Sequence, residues 1–199
     1  TLVVTASSRE SDQVRLALRS LSADMNVWEL PAWETLPHER MSPHPETVAR
    51  RLSAIRAVST HSPGDIPLVI VASVRALIQP VNPELGQLSW LRLEAGPSTD
   101  LETWAEQLTR MAYQRVDLVT RRGEFAIRGG ILDVFPPLAD HPVRADFFGS
   151  DIEEVTEFQV VDQRSLQSLS GAVEIPPARE MLLTDDVRRR AEQLVHEYP

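Results

Sequence analysis

Three groups of residues in this sequence have types and spacings that could do chemistry. The first is Arg115, Arg128 and Phe135, in the stretch YQRVDLVTRRGEFAIRGGILDVFPPLADHPVRADFFG from Tyr113 to Gly149. A guanidinium fork is well shaped for carboxylates, and an aromatic beside arginines makes a typical interface hot spot. The second is His38 and His44 with Glu39 and Glu46, which could bind a metal. Their spacing matches no usual ligand pattern, and no cysteine is present to help, so a metal is not expected. The third is the acidic set Asp133, Asp146, Asp151, Glu153 and Glu154, which could suggest paired carboxylates. Arg144 alternates with Asp146, so a solvated face with local ion pairs is the preferred reading. Ser165 and Ser168 lack the G-x-S-x-G elbow of a nucleophilic serine. There is no GxxxxGK[ST] phosphate loop, and Gly123, Gly129 and Gly130 sit in strand-bounded turns instead of leading into a helix. What is left is recognition: an adaptor surface, with no catalytic, cofactor-binding or metal residue assigned.

The elements that must carry the arginines follow from alternation. Val116 and Leu118 alternate with Arg115, Asp117 and Val119. After Thr120 to Gly123 the pattern resumes, with Phe125 and Ile127 set against Glu124, Ala126 and Arg128. A period of two on both sides of a Gly-bearing turn predicts a β-hairpin with one buried face. In the simple register Val119 pairs with Glu124, Asp117 with Ala126, and Arg115 with Arg128. Like charges opposite each other repel. Either an acidic partner uses them, or they solvate the face with Asp117 and Glu124 neutralising them. Leu132 and Val134 point one way, while Ile131, Asp133 and Phe135 point the other. Phe135 then either joins the arginines on an open face or is core beneath the helix around Trp104.

The rest of the chain sets the frame. Its 199 residues can bury one large or two small cores. The net charge of -9 lacks the basic excess that wraps nucleic acid, though a local basic patch is not excluded. No apolar run reaches membrane-span length, and Leu2 to Thr5 reads as a buried parallel strand, not a signal peptide. Ser7 or Ser8 can cap a helix running to about Ser22, and Met25 to Leu30 is a second strand candidate. Four prolines between Pro31 and Pro45 predict an irregular connection with Trp33 and Leu36 as its anchors. Helical spacing from Pro45 to Ser59 puts Val48, Leu52, Ile55 and Val58 on one stripe, with Arg50, Arg51 and Arg56 off it. Leu68 to Ala72 is a buried strand. This alternation predicts a parallel α/β domain over residues 1–86. From Leu88 the pattern changes to a strand to Leu93, a helix capped by Asp100 and then short strands, a separate smaller α+β domain over 87–174. Residues 175–199 start a new element, with Thr184 capping a helix. A start without methionine and an unfinished helical pattern at the end suggest a piece of a longer protein.

The residues that carry a resemblance are Tyr113-Gln-Arg-Val-Asp, Gly123 to Pro136, Pro142 to Gly149 and Asp162-Gln-Arg-Ser165. Pro31-Ala-Trp-Glu-Thr-Leu-Pro37, Ser42 to Pro45, Arg50-Arg-Leu52 and Pro177-Ala-Arg-Glu180 add to it. Together they resemble the N-terminal, UvrB-like module of the bacterial transcription-repair coupling factors. The resemblance implies a degenerate nucleotide-binding-like α/β domain interrupted by an inserted smaller α+β domain that binds the excision-repair protein UvrA, with residues 175–199 starting the return segment. It implies Arg115, Arg128 and Phe135 as the UvrA contacts. It further implies a cytoplasmic full-length protein that uses ATP and Mg²⁺ to translocate on double-stranded DNA and displace stalled RNA polymerase, none of it by this module. The alternative is a slice of the excision-repair ATPase UvrB or a related helicase-like enzyme. Against that stand the missing phosphate loop and the short span from Trp28 to Arg50, which leaves no room for the long β-hairpin UvrB inserts into damaged DNA.

Overall fold

A computed structural model of the chain describes residues 1–22, 24–36, 39, 41–182 and 184–197. The chain divides into two compact units, Thr1–Ser89 and Trp90–Pro199. The first is a parallel α/β unit and the second an antiparallel α+β unit.

In the first unit, β1 (Leu2–Thr5), β3 (Leu68–Ser73) and β2 (Asn26–Leu30) form a parallel sheet in the order β1-β3-β2. Helix α1 (Ser8–Leu21) starts at a reciprocal cap, in which Ser7 Oγ accepts from Glu10 N–H and the Glu10 carboxylate accepts from Ala6 N–H. Its Val14 and Leu18 pack on Val27, Val69 and Val71. On the other face α2 (Pro45–Thr60) lays Ala54 and Ile55 against Leu30, Leu68, Ile70 and Ala72. Helix α2 lies over β2 and β3, so Leu2 and Val4 remain exposed, and the expectation of a fully buried β1 fails for that face.

Helix α2 also departs from the expected stripe. Val58 is exposed, whereas Arg51 is completely buried. The Pro31–Trp33 segment and the 3-10 turn Pro83–Gln87 pack beside the helix, so a second side of it is inside. Arg51 Nη1 donates to the Pro31 carbonyl at 2.8 Å, Nη2 reaches the Pro80 carbonyl at 3.5 Å, and the guanidinium stacks 4.8 Å from the Trp33 ring centroid. A buried arginine needs such partners for its donors. Trp33 anchors the proline-rich connection as expected, while Leu36 is exposed.

The second unit is built on a sheet in the order β11-β10-β9-β8-β7-β6, with the short β5 (Gly96–Pro97) pairing β10. The strands are β6 (Gln114–Arg115), β7 (Glu124–Arg128), β8 (Ile131–Val134), β9 (Val143–Phe148), β10 (Asp151–Phe158) and β11 (Ser165–Ser168). A separate ribbon pairs β4 (Leu91–Leu93) with β12 (Val173–Ile175). Helix α4 (Leu101–Arg110) is capped by Asp100, whose carboxylate accepts from Thr103 N–H at 2.8 Å. It lays Trp104 and Leu108 into a core with Phe125, Leu132, Val134, Val143, Ala145 and Val155. Tyr113 closes that core by donating its hydroxyl to the Pro176 carbonyl at 2.9 Å. Burial pushes the Tyr113 hydroxyl well above its ordinary pKa. A short α3 (Val74–Leu77) follows β3, and α5 (Asp185–Glu197) follows a Thr184 cap. No helix among the described residues is long and apolar enough to cross a membrane.

Candidate partner-binding site

The hairpin expected from Tyr113 to Arg128 does not form. Strand β6 runs parallel to β7, with Arg115 opposite Phe125, not Arg128. Gln114 N–H donates to the Gly123 carbonyl at 2.8 Å and Val116 N–H to the Phe125 carbonyl at 2.9 Å. Residues 116–123 fold back over the sheet. The Glu124 carboxylate ties that loop down by accepting from the N–H groups of Thr120 and Arg121, each at 2.8 Å. Gly123, at φ 83, makes a turn that a side chain would strain. The antiparallel hairpin lies one strand later, where Gly129-Gly130 joins β7 to β8 and sets Arg128 opposite Ile131.

This topology moves the three predicted residues apart in character. Arg115 is exposed on the edge strand, and its guanidinium has no hydrogen bond or ion pair among the described residues. It registers with Phe125 and so belongs to the face covered by α4, whereas Arg128 has the parity of Ala126 on the opposite face. They nevertheless line one depression of about 460 Å³, together with Val116, Asp117 and Ile127. The depression lies where β6 stops and β7 runs on. Two guanidiniums around one hollow at a sheet edge can bind carboxylates; nothing there resembles a catalytic constellation.

Phe135 is not a surface residue. It is only 6% exposed and packs with Val119, Ala126 and Phe158, with the Arg122 guanidinium 5.3 Å from its ring centroid. The alternation of β8 is as expected, so Phe135 does point away from Leu132 and Val134. That face is roofed, however, by the returning 116–123 loop and not by the helix of Trp104, which packs on the other side. Loop residue Val119 takes the place an incoming partner would need.

Asp133 and Arg144, expected on a solvated face with local ion pairs, instead pair with each other, Asp133 buried and Arg144 partly buried. Asp133 is 1% exposed, and its carboxylate accepts from Arg144 Nε at 2.7 Å, Arg144 Nη2 at 2.9 Å and Arg128 Nη2 at 2.7 Å. Arg144 stands directly across the sheet from Asp133, while Arg128 is two residues past the other neighbour, Ala126. The Asp133 hydrogen bonds raise the Arg144 guanidinium above its ordinary value. Thus Arg128 pairs with Asp133 and not with Asp117 or Glu124. The available signal was parity: Asp133 shares a face with Ala126 and Phe135, so a face that buries those two buries it as well.

Of the other groups, Ser165 and Ser168 lie on the exposed edge strand β11. His38 falls outside the described residues. Among the described residues no cluster of three or more His, Asp or Glu could hold a metal.

Comparison with known proteins gives the relatives. Residues 91–181 match the UvrB interaction domain family. The transcription-repair-coupling factor of Mycobacterium tuberculosis is 47% identical over 204 residues, covering 100% of this chain and 16% of that protein. That of Bacillus subtilis is 31% identical over 191 residues, covering 95% of the chain and 16% of the relative. The Escherichia coli protein of the same name is 34% identical over 162 residues, covering 79% and 13%. The chain therefore spans about a sixth of the length of these curated relatives.

Proposed function

The chain belongs with the transcription-repair-coupling factors as a UvrB-like module, and from that premise we propose that it is the adaptor that recruits UvrA to stalled RNA polymerase in transcription-coupled nucleotide excision repair. The observation that carries this reading is the depression shared by Arg115 and Arg128 inside the matched interaction domain. Arg115 has no internal partner among the described residues, and Arg128 uses one nitrogen on Asp133 and keeps the rest for solvent. Exposed guanidiniums on an acidic chain suit an acidic partner surface. The adaptor role assigns no cofactor to this chain. ATP, Mg²⁺, double-stranded DNA and RNA polymerase belong to other parts of a longer cytoplasmic protein in this reading.

Phe135 is withdrawn from the contact set, because its ring has no exposed face to offer. Calorimetric titration with UvrA tests the assignment, comparing the native chain with R115A/R128A. The native chain should bind at micromolar affinity or tighter, and the double variant should lose at least ~2 kcal/mol with its circular dichroism unchanged. Equal affinity of the two proteins would return both arginines to ordinary surface.

A further inference from the structure

Arg128 is held by Asp133, which is buried, and Asp133 is held in turn by the partly buried Arg144. Asp133 and Arg144 form a bidentate ion pair, with the carboxylate 1% exposed and the Arg144 side chain 16% exposed. Arg144 is in turn fixed, with its guanidinium 4.6 Å from the Phe158 ring centroid and Nη1 directed to the Gln163 carbonyl at 3.4 Å. The carboxylate keeps acceptor capacity beyond the two Arg144 bonds, and Arg128 Nη2 uses part of it at 2.7 Å. Arg128 therefore stays half-exposed at the depression, beside Asp117, while losing the rotational freedom of a long exposed side chain. Ordering such a side chain is normally a cost charged to binding.

We propose that Asp133, locked by Arg144, is a positioning residue that preorganises Arg128 to receive a partner carboxylate. This rests on the UvrA reading above. Neither residue touches the partner; both act through the orientation of one guanidinium. A purely structural role predicts something else, namely that any loss of affinity follows loss of fold and is indifferent to Arg128.

A thermodynamic cycle separates the two. UvrA affinity is measured by calorimetry for the native chain, D133N, R128A and D133N/R128A, with near-ultraviolet circular dichroism and thermal midpoint beside each. Positioning predicts that D133N weakens binding about tenfold in the native background and less than about twofold when Arg128 is already alanine. An equal factor in both backgrounds, or native-like affinity for D133N, overturns it. Should D133N not fold, D133N/R144M removes both buried charges together, a change that buried ion pairs often tolerate. Positioning then predicts that D133N/R144M weakens binding about tenfold with Arg128 present and less than about twofold once R128A is added; an equal factor in both, or native-like affinity, overturns it. A native chain that does not bind UvrA removes the adaptor reading and this inference together, whereas native binding with an additive cycle removes only the inference.

Discussion

In the first unit Arg51 is sealed from water, with its donors on the Pro31 and Pro80 carbonyls and its plane against Trp33. In the second unit Arg128 keeps 47% of its side chain exposed and makes one hydrogen bond among the described residues, to Asp133. The two arginines differ in what satisfies them. Arg51 is bound to main-chain oxygens of two separate loops, so it acts as a cross-link inside a core. Arg128 shares its carboxylate with Arg144 and is half-exposed, so much of its guanidinium stays open to a partner. Satisfaction by neutral carbonyls buries an arginine for stability; satisfaction by a shared carboxylate aims one for recognition.

Experiments can break or sharpen that contrast. The largest effect is expected at Phe135, which stands on the closed side with Arg51: F135A should cost about 4 kcal/mol in urea denaturation, as large-to-small core changes do. An F135A chain of native stability with impaired UvrA binding would put the ring back at the surface. R51A should cost about 3 kcal/mol, from lost packing and a stranded Pro31 carbonyl. It should leave UvrA affinity of the folded protein unchanged, and a selective loss of affinity would erase the contrast. R128A should behave in the opposite way. Its half-exposed ion pair contributes little to stability, within about 1 kcal/mol, while UvrA affinity should fall about tenfold. The smallest effect concerns Glu29, a buried carboxylate reached by Arg50 at 3.2 Å and Arg15 at 3.7 Å. Desolvation raises its pKa above 4.5 despite the attraction of Arg50. The folded state then holds this proton more tightly than the unfolded one. Its contribution to stability is complete below pH 4.5 and declines as the pH rises through the folded value. Thermal midpoints of E29Q should match the native chain near pH 4 and lack that decline above it.

Much of this was legible beforehand, for identifiable reasons. The caps at Ser7, Asp100 and Thr184 are local chemistry, and each starts its helix. The opposed directions of Leu132 and Asp133 follow from the strand period alone. The direction of strand pairing does not. Two alternating runs around a glycine turn look alike whether the chain folds straight back or loops over to pair in parallel, as β6 and β7 do. Burial of a polar residue is just as silent. Arg51 sits off the apolar stripe of α2 and is interior because two distant segments close over it. Asp133 looked solvated because its partner, Arg144, is eleven residues away in sequence and becomes a neighbour only through the register of β8 with β9.

The parallel pairing of β6 has one more consequence. Arg115 is aligned with Phe125, three residues short of Arg128 on the next strand. The backbone points bearing the two guanidiniums are therefore offset by about 10 Å along the strands and about 4.8 Å across them. They also rise from opposite surfaces of the sheet. A ligand that lies flat on either surface meets one of them at most. Engaging both means straddling the rim, as a clothes peg grips a line, and a binder built to test this surface should be shaped for an edge.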